Sequence, residues 1–279
     1  MTETAAYAGR RASLATMHDK LSLVAPPMRG LLGLDVFVAT VDTDMFGTFS
    51  GEVERTAGPV DTAVAKARFG MSETGCTIGI ASEGSIGTAG FLPAVSDLET
   101  VVIVDDEHGF VLAESCESHD IVARSWSVDD GMPTDTDLTH AGFPEHGLIV
   151  RGETNDGPVF KGIHSRTELE NAVATCRRAT GGPVRLETDL RAHHCPSRRP
   201  TVARAARRLA ERLAVECPSC RCPGWGRVDV LRGRPCRLCR RPTSGAVAEV
   251  FGCARCTHRV TGPCNDSPAD PATCGNCNP

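Results

Sequence analysis

The chain has 279 residues, 41% apolar and only 4% aromatic, with a formal net charge of -5. That is enough for one sizeable core plus a smaller module, with the core built from Val, Leu, Ile and Ala rather than from aromatic rings. No apolar run reaches the ~18 residues that cross a bilayer, and the start MTETAAYAGRRASLA lacks the apolar segment of a signal peptide, so the expectation is a cytoplasmic protein with reduced thiols and no membrane partner.

Residues 1–11 read as a flexible terminus. ASLAT (12–16) is a short apolar strand, followed by a helix to about Leu32 that Pro26 and Pro27 make irregular. LDVFVAT (34–40) reads as a strand. PVDTAVAKARFGM follows, with Pro59 opening a helix whose Val60, Ala63, Ala67 and Met71 share a face. CTIGIAS (76–82) is the next strand, and it runs out at Glu83 among glycines and serines. LETVVIVDDEHGFVLAE forms a hairpin turning at Asp105–Gly109. Residues 116–145 show no period and read as loop. A second hairpin, GLIV with VFKGI, precedes a helix capped by Thr167 and Glu170. VRLETD (184–189) is the last strand of an α/β domain spanning 12–212, expected to be one mixed sheet with helices. Its closing helix puts Val202, Ala205, Ala206, Leu209 and Leu213 on one face, with Arg204, Arg207, Arg208 and Arg212 as a strip on the other.

The module 213–279 carries four CxxC pairs: Cys217/Cys220, Cys236/Cys239, Cys253/Cys256 and Cys274/Cys277. Two such knuckles complete a tetrahedral four-thiolate shell, and sulfur ligands select zinc over magnesium or calcium. Eight ligands predict two structural zinc ions in a double zinc-ribbon-like domain. The shells leave no vacancy for catalysis, and the metal supplies the stability that so small a core lacks. Loops of fifteen and seventeen residues favour sequential pairing, first with second and third with fourth; the alternative is a crossed brace, first with third. Residues 191–259 hold sixteen Arg and no Lys against Glu211, Glu216, Asp229 and Glu249, a surplus of +12, whereas residues 1–190 carry -15. A tail of that charge can meet RNA or another anion, or simply be a solvated Arg-rich surface.

Three short motifs in order give the first domain a resemblance. Ala15-Thr16-Met17-His18-Asp19-Lys20 after a strand, Asp61-Thr62-Ala63-Val64-Ala65-Lys66-Ala67 on a helix, and Ile80-Ala81-Ser82-Glu83-Gly84-Ser85 at a strand end resemble the inosine/xanthosine triphosphate pyrophosphatase superfamily. Ser197-Arg198-Arg199 is similar to the basic motif before that family's last helix. His18 stands where an Asn is typical, and Ser82 where many members carry an Asp. The resemblance implies a metal-dependent nucleotide pyrophosphatase fold. Glu83 would be the catalytic carboxylate on a magnesium ion, with Thr16, His18, Lys20, Lys66, Ser85, Arg198 and Arg199 around a nucleoside triphosphate. A plainer reading of Glu83 is a turn carboxylate. The stretch ETDLRAH (187–193) and the closing CGNCNP also resemble an uncharacterised bacterial domain of unknown function. The second functional class is a non-enzymatic zinc-ribbon protein binding RNA or a protein partner, with Trp225 and Phe251 as stacking surfaces. A homodimer is compatible with either.

Overall fold

A computed structural model describes residues 6–47, 57–88, 95–154 and 157–278. The chain order is β1 (Arg11–Ala15), α1 (Leu21–Leu32), β2 (Asp35–Ala39), α2 (Pro59–Thr74), β3 (Ile78–Thr88), β4 (Val95–Asp105), β5 (Phe110–Ser118), β6 (Ser125–Val128), α3 (Asp135–His140), β7 (Leu148–Gly152), β8 (Val159–Ile163), α4 (Arg166–Thr180), β9 (Val184–Thr188), α5 (Arg199–Leu213), β10 (Gly226–Arg232), β11 (Ala246–Gly252) and β12 (Arg259–Thr261).

These strands make three sheets. The first runs β2-β1-β3-β4-β5, parallel across β2, β1 and β3 and antiparallel from there on. Alternate residues of β4 go to opposite faces, as the pleat requires. Val101 and Ile103 join Val24, Met28, Leu32, Leu209 and Leu213 of α1 and α5, whereas Val102 and Val104 join Ala63, Ala67 and Met71 of α2. The result is a helix-sheet-helix sandwich. Val24, Met28 and Leu32 recur at helical spacing, and this buried stripe keeps α1 continuous across Pro26 and Pro27. Gly33 (φ 67) ends the helix by returning its N–H to the Arg29 carbonyl at 3.0 Å, and the Leu34 N–H returns to that of Met28 at 3.3 Å. Close packing of α2 needs Gly79: a Cβ there would lie 2.7 Å from the carbonyl oxygen of Ala67. Ahead of β1, in the stretch that reads as loose, Tyr7 is fully buried and donates to Asp105 Oδ2 at 2.9 Å.

The expected single mixed sheet is corrected to two. The hairpin β7–β8 pairs with β9 and β6 in a separate four-stranded sheet, order β6-β9-β7-β8, and α3 and α4 cover one side. This unit lies in sequence between β5 and α5, and α5 returns to the first sheet. The aperiodic stretch 116–145 conceals both β6 and α3. β6 is half exposed, and its pairing partner β9 is about 60 residues further on, so no local pattern marks it. The cap of α4 is also corrected. Ser165, in extended conformation, accepts from the Glu168 N–H at 3.3 Å, two residues ahead of the expected Thr167. Val60 is exposed rather than sharing the buried face of α2.

The third sheet, β10-β11-β12, is antiparallel throughout. No helix among the described residues is long and apolar enough to cross a membrane.

Candidate functional site

In the C-terminal module the eight CxxC sulfurs form two groups of four, with all sulfurs in each group within 4.8 Å of one another. Cys217 and Cys220 meet Cys253 and Cys256; Cys236 and Cys239 meet Cys274 and Cys277. The pairing is therefore crossed, first with third and second with fourth, and the sequential expectation is corrected. Its cause is the sheet. β10 starts just after the first knuckle and β11 ends just before the third, and because they are antiparallel Gly226 faces Gly252. The second knuckle is carried to the far end of that hairpin. β12 then runs back along β11, carrying the fourth knuckle to the second. Seven residues of β11 separate the two sites by roughly 20 Å.

Cross-pair sulfur distances are 3.8 Å (Cys217–Cys256), 3.6 Å (Cys220–Cys253), 3.9 Å (Cys236–Cys277) and 3.7 Å (Cys239–Cys274). A disulfide needs about 2.05 Å, whereas four sulfurs about 2.3 Å from a central ion have edges of about 3.8 Å. The donor sets thus fit tetrahedral metal ions, consistent with structural zinc. The backbone amide of Ser219 points at the Cys217 sulfur, and those of Arg255 and Cys256 point at the Cys253 sulfur. Arg221 (φ 62) and Arg240 (φ 64) occupy equivalent left-handed positions just after Cys220 and Cys239, closing each knuckle. The first cluster is docked on the α/β core: Cys222, Cys253 and Ala254 pack with Tyr7, Leu112 and Leu213.

The second site lies at the other end of the first sheet. β1 pairs with β2 on one side and β3 on the other, and α1 and α2 cross on opposite faces. The carboxyl end of β1 is thus a topological switch point, where open α/β sheets bind ligands. A cavity of about 30 Å³ there is lined by Thr16, Met17, His18, Lys20, Thr43, Asp44, Lys66, Ser82 and Glu83, among others. Five residues singled out in the sequence, Thr16, His18, Lys20, Lys66 and Glu83, meet in one cleft. Lys20 Nζ donates to Ser82 Oγ at 2.9 Å, and Lys66 Nζ contacts Glu83 Oε2 at 2.8 Å. Glu83 is not in a loop as expected. β3 continues to Thr88, paired with β4, and its pairing to β1 ends at Ala81, so Glu83 lies beyond the carboxyl end of β1.

The other three candidates are placed differently. Ser85 lies farther along β3, outside the cavity lining. Arg199 is likewise outside the lining, donating to Ser22 Oγ at 2.9 Å and lying 3.7 Å from Asp19. Arg198 is fully buried and turned away from a ligand role: its Nε donates to Glu99 Oε1 at 2.8 Å, and Nη1 reaches the carbonyl oxygen of Leu190. Asp97 lies beside them, 3.7 Å from Arg198. Burial and the neighbouring Glu99 push the Asp97 carboxyl up to about 6. Burial also lowers Lys20, although Glu99 opposes it. Sequence reasoning did not single out Asp44, Asp97, Glu99 or Ser82 as site residues. For Asp44, the polar loop directly after the second strand was the available signal.

Burial, reinforced by Lys20, lowers His18 to about 3, and burial lowers His194 to about 4. Both therefore stay neutral in the folded chain where the unfolded chain takes up protons. The stability that depends on their neutrality should be present above pH 6.5 and lost as pH falls towards 4, because the unfolded state then binds the protons these rings refuse; burial also lowers His193 and His146, which adds in the same direction. Asp97 has the opposite sign: it holds a proton in the folded state between about pH 4 and 6 and offsets part of that uptake. The net expectation is a falling urea midpoint below pH 6.5, with Asp97→Asn steepening the fall. A midpoint flat from pH 7 to 4.5 would contradict it.

Residues 66–279 match the family model described as a domain of unknown function, DUF6671. No curated protein matches the chain.

Proposed function

The chain belongs to the DUF6671 family, and from that footing we propose that it is a magnesium-dependent, nucleoside triphosphate pyrophosphatase-like hydrolase with two structural zinc ions. The observation that carries the reading is the meeting of Lys20, Lys66 and Glu83 in one cleft at the switch point of the first sheet. The motifs shared with the inosine/xanthosine triphosphate pyrophosphatase superfamily lie on these same residues.

Two buried ammonium groups supply countercharge for a triphosphate, and the Thr16 hydroxyl adds a neutral donor. Glu83 and Asp44 line the cleft together. That fits magnesium, which is usually held by one or two carboxylates plus phosphate oxygens. When bound, the ion supplies charge neutralisation and lowers the pKa of a water that attacks phosphorus. Ser82 fixes the Lys20 ammonium, and the Arg198–Glu99–Asp97 cluster lies close enough to act electrostatically on the same lysine. Zinc acts at a distance as a brace. Its first cluster packs near Tyr7 and Asp105, at the amino end of β1, opposite the cleft.

The RNA-binding alternative draws on the Arg surplus, but part of that surplus is matched by carboxylates outside the segment. Arg212 meets Glu114 at 2.6 Å, Arg191 meets Asp189 at 2.6 Å, Arg198 contacts Glu99 and Asp97, and Arg199 lies 3.7 Å from Asp19. A divalent ion with four thiolates carries a charge of about -2, so two such sites absorb four more positive charges. Trp225 spends one face on His258, with ring centroids 5.3 Å apart. The test of the preferred reading is pyrophosphate release from canonical and noncanonical nucleoside triphosphates with and without magnesium. Its absence on every substrate would return the chain to the binding-protein class.

A further inference from the structure

Four histidines from two parts of the fold stand in a column. His18, on the β1–α1 connection, stacks on His193 with centroids 5.1 Å apart and planes at 25°. His193 lies 3.9 Å from His194, and His194 lies 5.0 Å from His164. The lower half of the column is fixed. His194 Nδ1 and His164 Nε2 are 2.7 Å apart, and His164 Nδ1 donates to the Pro144 carbonyl at 2.7 Å, which makes His164 Nε2 the acceptor. Room for the pair exists only because two neighbours are glycine: a Cβ on Gly162 would lie 2.7 Å from His194 Nε2, and one on Gly147 would lie 3.0 Å from His164 Nε2. The turn carrying His193 is clamped as well. Asp189 accepts from the Gly162 and Arg191 amides and from the Arg191 side chain, and Gly147 donates to the His194 carbonyl at 2.8 Å.

His18 and His193 are therefore two flat rings, each on a constrained turn, one belonging to the first sheet and the other to the loop after β9. His18 lines the cleft that holds Lys20 and Lys66. The cavity of about 30 Å³ is about one water's share of liquid volume, so no nucleoside enters without displacing something. The His18–His193 contact joins the two sides.

Resting on the nucleotide reading of the cleft, we infer that this stack is the seat of the nucleobase, a flat heterocycle that inserts between His18 and His193 while the lysines hold its phosphates. Both rings are kept uncharged by burial, aided at His18 by Lys20 and at His193 by Arg191. They thus offer neutral faces beside a cationic phosphate end, matching a nucleotide's own division into flat base and anionic tail. Face contact at about 3.5 Å on each side requires the ring separation to grow from 5.1 Å to roughly 7 Å, a parting of about 2 Å.

The probe is inosine, a nucleoside without phosphate, titrated into full-length protein carrying 15N-labelled histidine. Its expected effect is a saturable shift of the His18 and His193 ring signals. His193→Leu, about as large but not flat, should weaken inosine binding at least tenfold, whereas the flat His193→Phe should stay within about threefold of the parent. Unchanged metal content and unfolding midpoint would show that the variants are folded. The proposal is overturned if inosine leaves both rings unshifted, or if His193→Leu binds it as well as the parent. Pyrophosphate release is read separately. Inosine bound between the rings without hydrolysis of any triphosphate keeps the base site and removes the hydrolase reading; hydrolysis with inosine binding indifferent to His193→Leu does the reverse.

Discussion

Replacing Cys217, Cys220, Cys253 and Cys256 together by serine should leave one metal ion per chain, whereas replacing Cys217, Cys220, Cys236 and Cys239 should leave none. The first set removes one complete cluster and spares the other; the second breaks both. Sequential pairing makes the opposite forecast, so elemental analysis of the two variants, against two ions in the parent, decides between them. The effect on folding is large, because a structural zinc ion supplies about 10–16 kcal/mol of apparent binding energy at neutral pH. It should also be uneven. Loss of the Cys217 cluster frees Cys222, Cys253 and Ala254 from the α/β core and should lower the unfolding midpoint of the whole chain. Loss of the Cys236 cluster should melt chiefly the far end of β10 and β11. Equal losses from the two would contradict the docking of the Cys217 cluster on the α/β core.

Arg198→Ala should cost about 3–5 kcal/mol, the usual effect of removing one member of a buried ion pair. Against a total stability of about 5–15 kcal/mol, that is a large share of what holds the chain folded. Glu99 and Asp97 are both fully buried, and Arg198 is the cation touching them. Without it two carboxyls remain in a low-polarity site, and Lys20 loses its balance of charges. Adding Glu99→Gln to Arg198→Ala should recover part of the loss, since it removes the stranded charge. Urea denaturation of the single and double variants measures this, and a single-variant loss below about 1 kcal/mol would show that the cluster is not structurally coupled.

Arg198 also illustrates what a sequence can and cannot disclose. Ser-Arg-Arg opening a helix reads as a ligand motif because a basic residue at a helix start is ordinarily exposed. Its true partner lies 99 positions earlier on β4, and nothing local marks Glu99 as inward. The same holds for Glu83. Its residue type and its place after an apolar strand are legible, but the pairing with Lys66 and the continuation of β3 depend on β4 and on where β1 stops. The knuckles are legible because CxxC geometry is local. Their crossing is not, because it is dictated by antiparallel pairing across the module. Each of the two loops contains a strand, so loop length alone does not set which knuckles meet. Likewise β6 is invisible beside β9, with which it shares no neighbouring sequence.

The phosphate chemistry proposed for the cleft at the switch point rests on one carboxylate. Glu83→Gln keeps the size of the side chain and a hydrogen-bond acceptor for Lys66, but removes the charge that would hold magnesium. The direct measurement is pyrophosphate release by the parent and by Glu83→Gln from the same panel of nucleoside triphosphates, with magnesium and with chelator. The expected result is magnesium-dependent release by the parent and a loss of at least about a hundredfold in the variant, with metal content in the cysteine clusters unchanged. Activity undiminished in Glu83→Gln would contradict it.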